Sequence, residues 1–170
     1  MRLILLNGPC GVGKSTVAEI VHRQLPGSVL VNLDTLRRFV SGHRALRAES
    51  HDMSIALTTA MLKACAEHGT HAIVDKMLYD DMALDTFIRT VTEQGGATYE
   101  FLLWADKETV LARSDVRGYR PNGLFTREKC LAFWETMDAF RKQRPLADVI
   151  DTTTKTPAEI AAHIMKKVSQ

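Results

Sequence analysis

The sequence has no apolar run approaching the roughly 20 residues that a helix needs to cross a bilayer, so no membrane-spanning helix is expected. Cysteine is scarce. Cys10, Cys65 and Cys130 are odd in number and far apart, with no pair at metal-ligand spacing, so reduced thiols are expected rather than a disulfide framework. Charge of one sign is not in excess either. The formal net charge is +2, too small to mark a nucleic-acid or membrane binder, so any basic surface must be local. The apolar stretch at residues 3–6 is too short for a signal-peptide core and runs into a glycine-rich turn. The expected compartment is the cytoplasm. Repeats, linkers and low-complexity segments are missing, and 170 residues suit one domain better than two.

What is present is the composition of a globular chain, 45% hydrophobic and 25% charged. Short apolar runs alternate with amphipathic stretches of helical length. Strands are expected at residues 3–6, 29–32, 72–75, 99–104 and 147–150. Helices are expected at 14–25, 34–41 (short), 53–67 and 81–94, with two more capped by Asp106 and Thr126. Thr156-Pro157-Ala158-Glu159 has the capping-box pattern with proline at the first helical position, and opens a last helix to about residue 168. Residues 42–52, rich in His and Arg, read as a polar connection. Strands alternating with helices predict an α/β fold with a parallel sheet covered on both faces.

The most specific signal is Gly8-Pro9-Cys10-Gly11-Val12-Gly13-Lys14-Ser15, which matches GxxxxGK(S/T) at every fixed position between an expected strand and an expected helix. Glycines let the backbone curl until its N–H groups point at phosphate oxygens. The helix start adds partial positive charge. Lys14 can reach the β- and γ-phosphates of ATP. Ser15 can coordinate Mg²⁺, with Thr16 in support. Cys10 fills a variable position of the motif.

In a doubly wound sheet, ligands sit outside the carboxyl ends of the strands. Two acids are expected there. Asp34 follows the second strand and either accepts the proton of an attacking hydroxyl or caps the short helix. Asp75 ends the third strand, Walker B-like, and can hold Mg²⁺ through water. Lys76 beside it can partly neutralise it. Arg113, Arg117 and Arg120 flank or occupy a Gly/Pro-containing segment, about residues 114–125, that reads as a basic lid carrying cations to a migrating phosphoryl group. Which arginine matters is left open. Trp104 is ambiguous between core and nucleotide contact, whereas Trp134, Met137 and Phe140 have core spacing.

These pieces resemble the P-loop kinases of the nucleoside-monophosphate-kinase-like group, in the branch of chloramphenicol phosphotransferase-like and polynucleotide-kinase-like small kinases. The likeness covers nearly the whole chain. It implies a three-layer P-loop NTPase fold whose five-stranded parallel sheet has the order 2-3-1-4-5. It implies Asp34 as general base and, through Asp34-Thr35-Leu36-Arg37, the DxxR arrangement of polynucleotide kinases with Arg37 as a catalytic cation. Family lid arginines correspond to some of Arg113, Arg117 and Arg120. The loop at residues 152–157, with Thr153, matches in position the one that packs on adenine. Arg113 and Thr153 are therefore expected on the nucleotide. The paired-arginine and proline-rich signatures of adenylate kinase are missing, as is the NKxD pattern of guanine binders.

The expectation is an ATP- and Mg²⁺-dependent phosphotransferase acting on a hydroxyl of a small molecule such as an antibiotic, nucleoside, nucleotide or sugar. A polynucleotide 5′-hydroxyl kinase is the first alternative, weakened by the near-neutral charge. A regulatory ATPase is the second. Nucleic acid is not favoured as a partner, no membrane partner is expected, and monomer and homodimer stay open.

Overall fold

The computed structural model describes residues 1–119 and 125–170. Five strands form one parallel sheet: β1 (Arg2–Asn7), β2 (Val29–Asn32), β3 (Ala72–Asp75), β4 (Ala97–Trp104) and β5 (Asp148–Asp151). Their order is β2-β3-β1-β4-β5, as the family resemblance implied. Central β1 pairs Leu3 with Ala72 of β3 on one side and Arg2 with Ala97 of β4 on the other.

The apolar runs are continuous because both faces of the sheet are covered. Along β1, Ile4 and Leu6 enter one core layer and Leu3 and Leu5 the other, the period-two alternation of a strand. The first layer receives Val17, Ala18 and Val21 of α1 (Lys14–Gln24), Val110 of α5 (Lys107–Arg117), and Ile160 and Ile164 of α7 (Pro157–Val168). The second receives Leu36 of α2 (Leu33–Arg37), Leu62 of α3 (Arg47–Glu67) and Phe87 of α4 (Asp81–Thr92). The remaining helix, α6 (Arg127–Arg141), serves both layers, giving Cys130 to the first and Met137 and Phe140 to the second.

Most helix starts follow the expected chemistry. Asp106 and Thr126 accept backbone N–H bonds at the starts of α5 and α6, and Thr156 with Glu159 forms the full capping box of α7. Two segments differ. Helix α3 begins at Arg47 rather than near Met53, so part of the expected polar connection is helical. Its early buried positions are Ser50, Ser54 and Thr58, whose hydroxyls donate to the carbonyls of Arg47, His51 and Ser54. Hydroxyls satisfied in this way can be buried in place of apolar groups. The expected lid segment opens with residues 114–117 as the last turn of α5, and Arg120 lies outside the described residues. Trp104 is settled on the core side: its ring lies 5.1 Å from that of Trp134 and 4.4 Å from the Arg141 guanidinium.

Candidate active site

β1 delivers the chain to the phosphate cradle through Asn7, an amide only 1% exposed. Its Oδ1 accepts from the Gly8 N–H at 2.8 Å and the Leu78 N–H at 2.9 Å, and its Nδ2 donates to the Leu78 carbonyl at 2.6 Å. The loop thereby starts from a fixed point shared with the connection after β3. Gly8 has φ +136°, and a Cβ there would lie 2.1 Å from the Leu103 carbonyl oxygen. Only glycine fits. Gly13, at φ +87°, is the left-handed N-cap of α1 and offers no side-chain cap, so the first N–H groups of α1 lack the usual internal acceptor. Val12 is buried in the core and anchors the loop from below.

Lys14 folds across this loop, its Nζ donating to the carbonyls of Gly8 at 2.8 Å and Pro9 at 2.7 Å. Burial pushes its pKa down to about 8, against the opposing pull of Asp75. A desolvated cation beside helical N–H groups is a site prepared for anionic oxygens.

The carboxyl ends of β2 and β3 supply two carboxylates in contrasting settings. Asp75 is 3% exposed and its Oδ2 accepts from Ser15 Oγ at 2.6 Å and Asn32 Nδ2 at 3.0 Å. Asn32 is also the N-cap of α2, accepting from the Thr35 N–H at 2.9 Å. Asp34 is therefore not the cap. Its side chain is 58% exposed and forms an ion pair with Lys76. Partial desolvation works to raise the Asp34 carboxyl, but Lys76, Arg37 and Lys14 outweigh it and hold it below the usual carboxylate range. Lys76, expected to neutralise neighbouring Asp75, pairs across the sheet edge with Asp34 instead. Successive residues at a strand end point to opposite sides.

The structure thus brings Lys14, Ser15, Asp34, Asp75 and Lys76 to one edge. Thr16 is exposed in the first turn of α1. Arg37 reaches back from α2 to α3, its Nη2 donating to the Arg47 carbonyl at 3.3 Å and Ser50 Oγ at 3.4 Å. Its buried Nε has no hydrogen-bond partner among the described residues. On the far side, Arg113 joins the loop after β5. Its Nη1 donates to Thr152 Oγ1 at 3.1 Å, and its Nη2 to the carbonyls of Thr152 at 2.7 Å and Thr153 at 3.4 Å. Arg117 is exposed, with its guanidinium 5.4 Å from the Phe125 ring. Cys10, at the cradle, touches Cys130 of α6 with 2.9 Å between sulfurs.

Asn7, Asn32 and the Lys76–Asp34 pair carry no motif. The only trace of the two asparagines in the sequence is a polar amide closing an apolar strand, directly before Gly8 in one case and two residues before Asp34 in the other.

The donor set suits a nucleotide with a hard divalent cation. Ser15 and Asp75 offer oxygen ligands, the chemistry Mg²⁺ prefers. Among the described residues no cluster of three or more His, Cys, Asp or Glu could hold a metal by itself, so phosphate oxygens and water would have to complete the shell. Among the described residues no helix is long and apolar enough to cross a membrane.

No curated protein sequence matches the chain. Solved structures of similar fold are many. A sugar kinase from Janibacter sp. HTCC2649 superposes with a TM-score of 0.74 at 16% identity, covering 99% of this chain and 95% of that one. The tunicamycin resistance protein of Deinococcus radiodurans gives 0.68 at 19% identity, covering 99% and 96%. A chain of the Pnkp1/Rnl/Hen1 RNA repair complex gives 0.64 at 19% identity, covering 84% of this chain and 45% of that one. At such identities the likeness establishes the fold, that of the P-loop kinases. Residues 3–143 match the family model described as an AAA domain, and the chain belongs to that family.

Proposed function

We propose that the protein is an ATP-dependent phosphotransferase that moves the γ-phosphoryl group onto a hydroxyl of a small molecule. The observation that carries this reading is the division of labour between the two carboxylates. Asp75 is buried on Ser15, the position of a metal-side acid. Asp34 is solvent-facing, ionised and held by Lys76 on the same edge as Lys14, the position of a group that receives an acceptor hydroxyl. A protein that only bound nucleotide would need the first acid and not the second, whereas transfer needs a group that orients the attacking oxygen.

Lys14 and the N–H groups of residues 8–15 would hold the phosphates. Ser15 would ligate Mg²⁺ while donating its proton to Asp75, which would act through water. The chemistry that Mg²⁺ would supply there, held by Ser15 and through water by Asp75, is neutralisation of the charge that develops in transfer. Asp34 would accept the hydroxyl's hydrogen bond and finally its proton. A lowered pKa is no obstacle, because a loose phosphoryl-transfer transition state leaves the nucleophile's proton in place until late. Arg37, Arg117 and Arg120 would stabilise charge in transfer. Arg113 and Thr153 would form the base-side wall, and the segment about 114–125 would serve as a lid.

The acceptor class is testable with γ-labelled ATP and Mg²⁺ offered to pooled antibiotics, nucleosides, nucleotides and sugars, and separately to 5′-hydroxyl oligonucleotides. Label in a small molecule, lost in Asp34→Ala while ATP binding persists, is the expected result. Label only on oligonucleotide ends would replace the proposal with a polynucleotide kinase. Label released only as inorganic phosphate would replace it with an ATPase.

A further inference from the structure

The thiols of Cys10 and Cys130 take no part in the chemistry above, yet they meet where the phosphate loop packs on the core side of α6. Cys10 is the third residue of the P-loop and is partly exposed, while Cys130 is fully buried in α6. Their sulfurs are 2.9 Å apart. Cys130 Sγ also lies 3.3 Å from Ser114 Oγ of α5, and a Cβ on Gly11 would sit 3.2 Å from that same hydroxyl. The loop, α5 and α6 therefore converge on this pair. Cys65, the remaining cysteine, is in the opposite core layer.

We propose that Cys10 and Cys130 form a peroxide-driven, reversible disulfide that clamps the P-loop to α6 and weakens nucleotide binding. The clamp rests on the thiol geometry alone; its effect on nucleotide rests on the function proposed above. A disulfide needs a sulfur separation near 2.05 Å, about 0.9 Å less than the present contact. Partly exposed Cys10 is the thiol that a peroxide can reach. It is oxidised to a sulfenic acid as the O–O bond breaks and one water leaves. Cys130 Sγ then attacks the Cys10 sulfur, the S–O bond breaks, and a second water carries away the hydroxyl with the Cys130 proton. The two sulfurs give up two electrons in all and the peroxide takes them. The positive charges of Lys14 and Arg117 favour a thiolate at Cys10, but burial and Cys130 push its pKa up to about 12. A thiol kept protonated in this way reacts slowly, so the pair responds to peroxide in excess rather than to traces.

Once formed, the bond fixes a residue whose neighbours must present their N–H groups to phosphate. It also ties the cradle to the helix that follows the basic segment. The test uses the full chain, treated with excess hydrogen peroxide, quenched with an alkylating agent and digested without reduction. The expected result is a Cys10–Cys130 cross-linked peptide lighter by two hydrogens, with Cys65 alkylated. Equilibrium binding of ATP should fall at least tenfold, recover with dithiothreitol, and stay unchanged on peroxide treatment of Cys130→Ser, while Cys65→Ser behaves as wild type. Recovery of Cys10 only as a free thiol or a sulfinic acid would overturn the proposal. So would a cross-link that leaves ATP affinity unchanged. The wild-type peptide map needs no variant to fold. Failure of the reduced protein to bind ATP at all would refute the proposed function, whereas the map judges the thiol pair independently.

Discussion

Raising the pH is expected to weaken ATP binding through Lys14. Its ammonium is desolvated and titrates at about 8 in the free protein. Phosphate oxygens within hydrogen-bond reach favour the charged form and restore the pKa to its ordinary value or above. Below about 8 the lysine is protonated with or without nucleotide, so affinity is flat. Above it, binding must first take up a proton. Affinity then falls nearly tenfold per pH unit until the pKa of the bound form is reached. Between about pH 7 and about pH 9.5 the loss is about 30-fold, or about 2 kcal/mol. Cys10 and Tyr119, both pushed up to about 12, lie above this window. The assay is calorimetry of ATP binding without Mg²⁺, in buffers of different ionisation enthalpy, which counts protons directly. Uptake of about half a proton is expected near pH 8, rising toward one at higher pH. Affinity and proton count that stay flat across the window would refute the buried-cation account of Lys14.

Asn32→Ala removes the cap of α2 and one donor to buried Asp75. Thermal or urea unfolding is expected to show a loss of about 2–3 kcal/mol, and a loss under 0.5 kcal/mol would refute the shared role. Gly8→Ala drives a methyl into the Leu103 carbonyl at a positive φ and is expected to cost about 2–4 kcal/mol by denaturant unfolding. Lys76→Met frees Asp34 from its ion pair, and the lower limb of the transfer rate's pH profile should move to higher pH while ATP affinity is kept. Away from the site, Arg144 joins Asp81, Asp85 and Glu100 with its side chain 14% exposed and that of Glu100 10% exposed. Arg144→Met leaves Glu100 stranded and is expected to cost about 3 kcal/mol. Adding Glu100→Gln should recover much of that loss, and a double variant no better than the single would sink this account.

The strands were legible because a sheet covered on both faces demands unbroken apolar runs, and the 29–32 and 72–75 stretches coincide with β2 and β3. The start of α3 was not. Its buried face at Ser50, Ser54 and Thr58 keeps helical spacing in hydroxyls, which a count of apolar residues passes over. The loop was legible because Gly8, Gly13, Lys14 and Ser15 meet every fixed position of GxxxxGK(S/T). The electrostatics around it were less so. Lys76 adjoins Asp75 in sequence but finds Asp34, and Cys10 gains meaning only from a residue 120 positions away. Sequence neighbours at a strand end part company, and long-range partners leave no local pattern.

Arg113 holds the loop after β5 chiefly by its main chain. The carbonyls of Thr152 and Thr153 accept the guanidinium, and one threonine hydroxyl adds a side-chain bond. A carbonyl is present whatever residue occupies the position. Such an attachment dictates the path of the loop and leaves most of its side chains exchangeable. The wall assigned to the nucleotide base can therefore drift in sequence, or be redesigned for another base, while the strut beneath it stays the same.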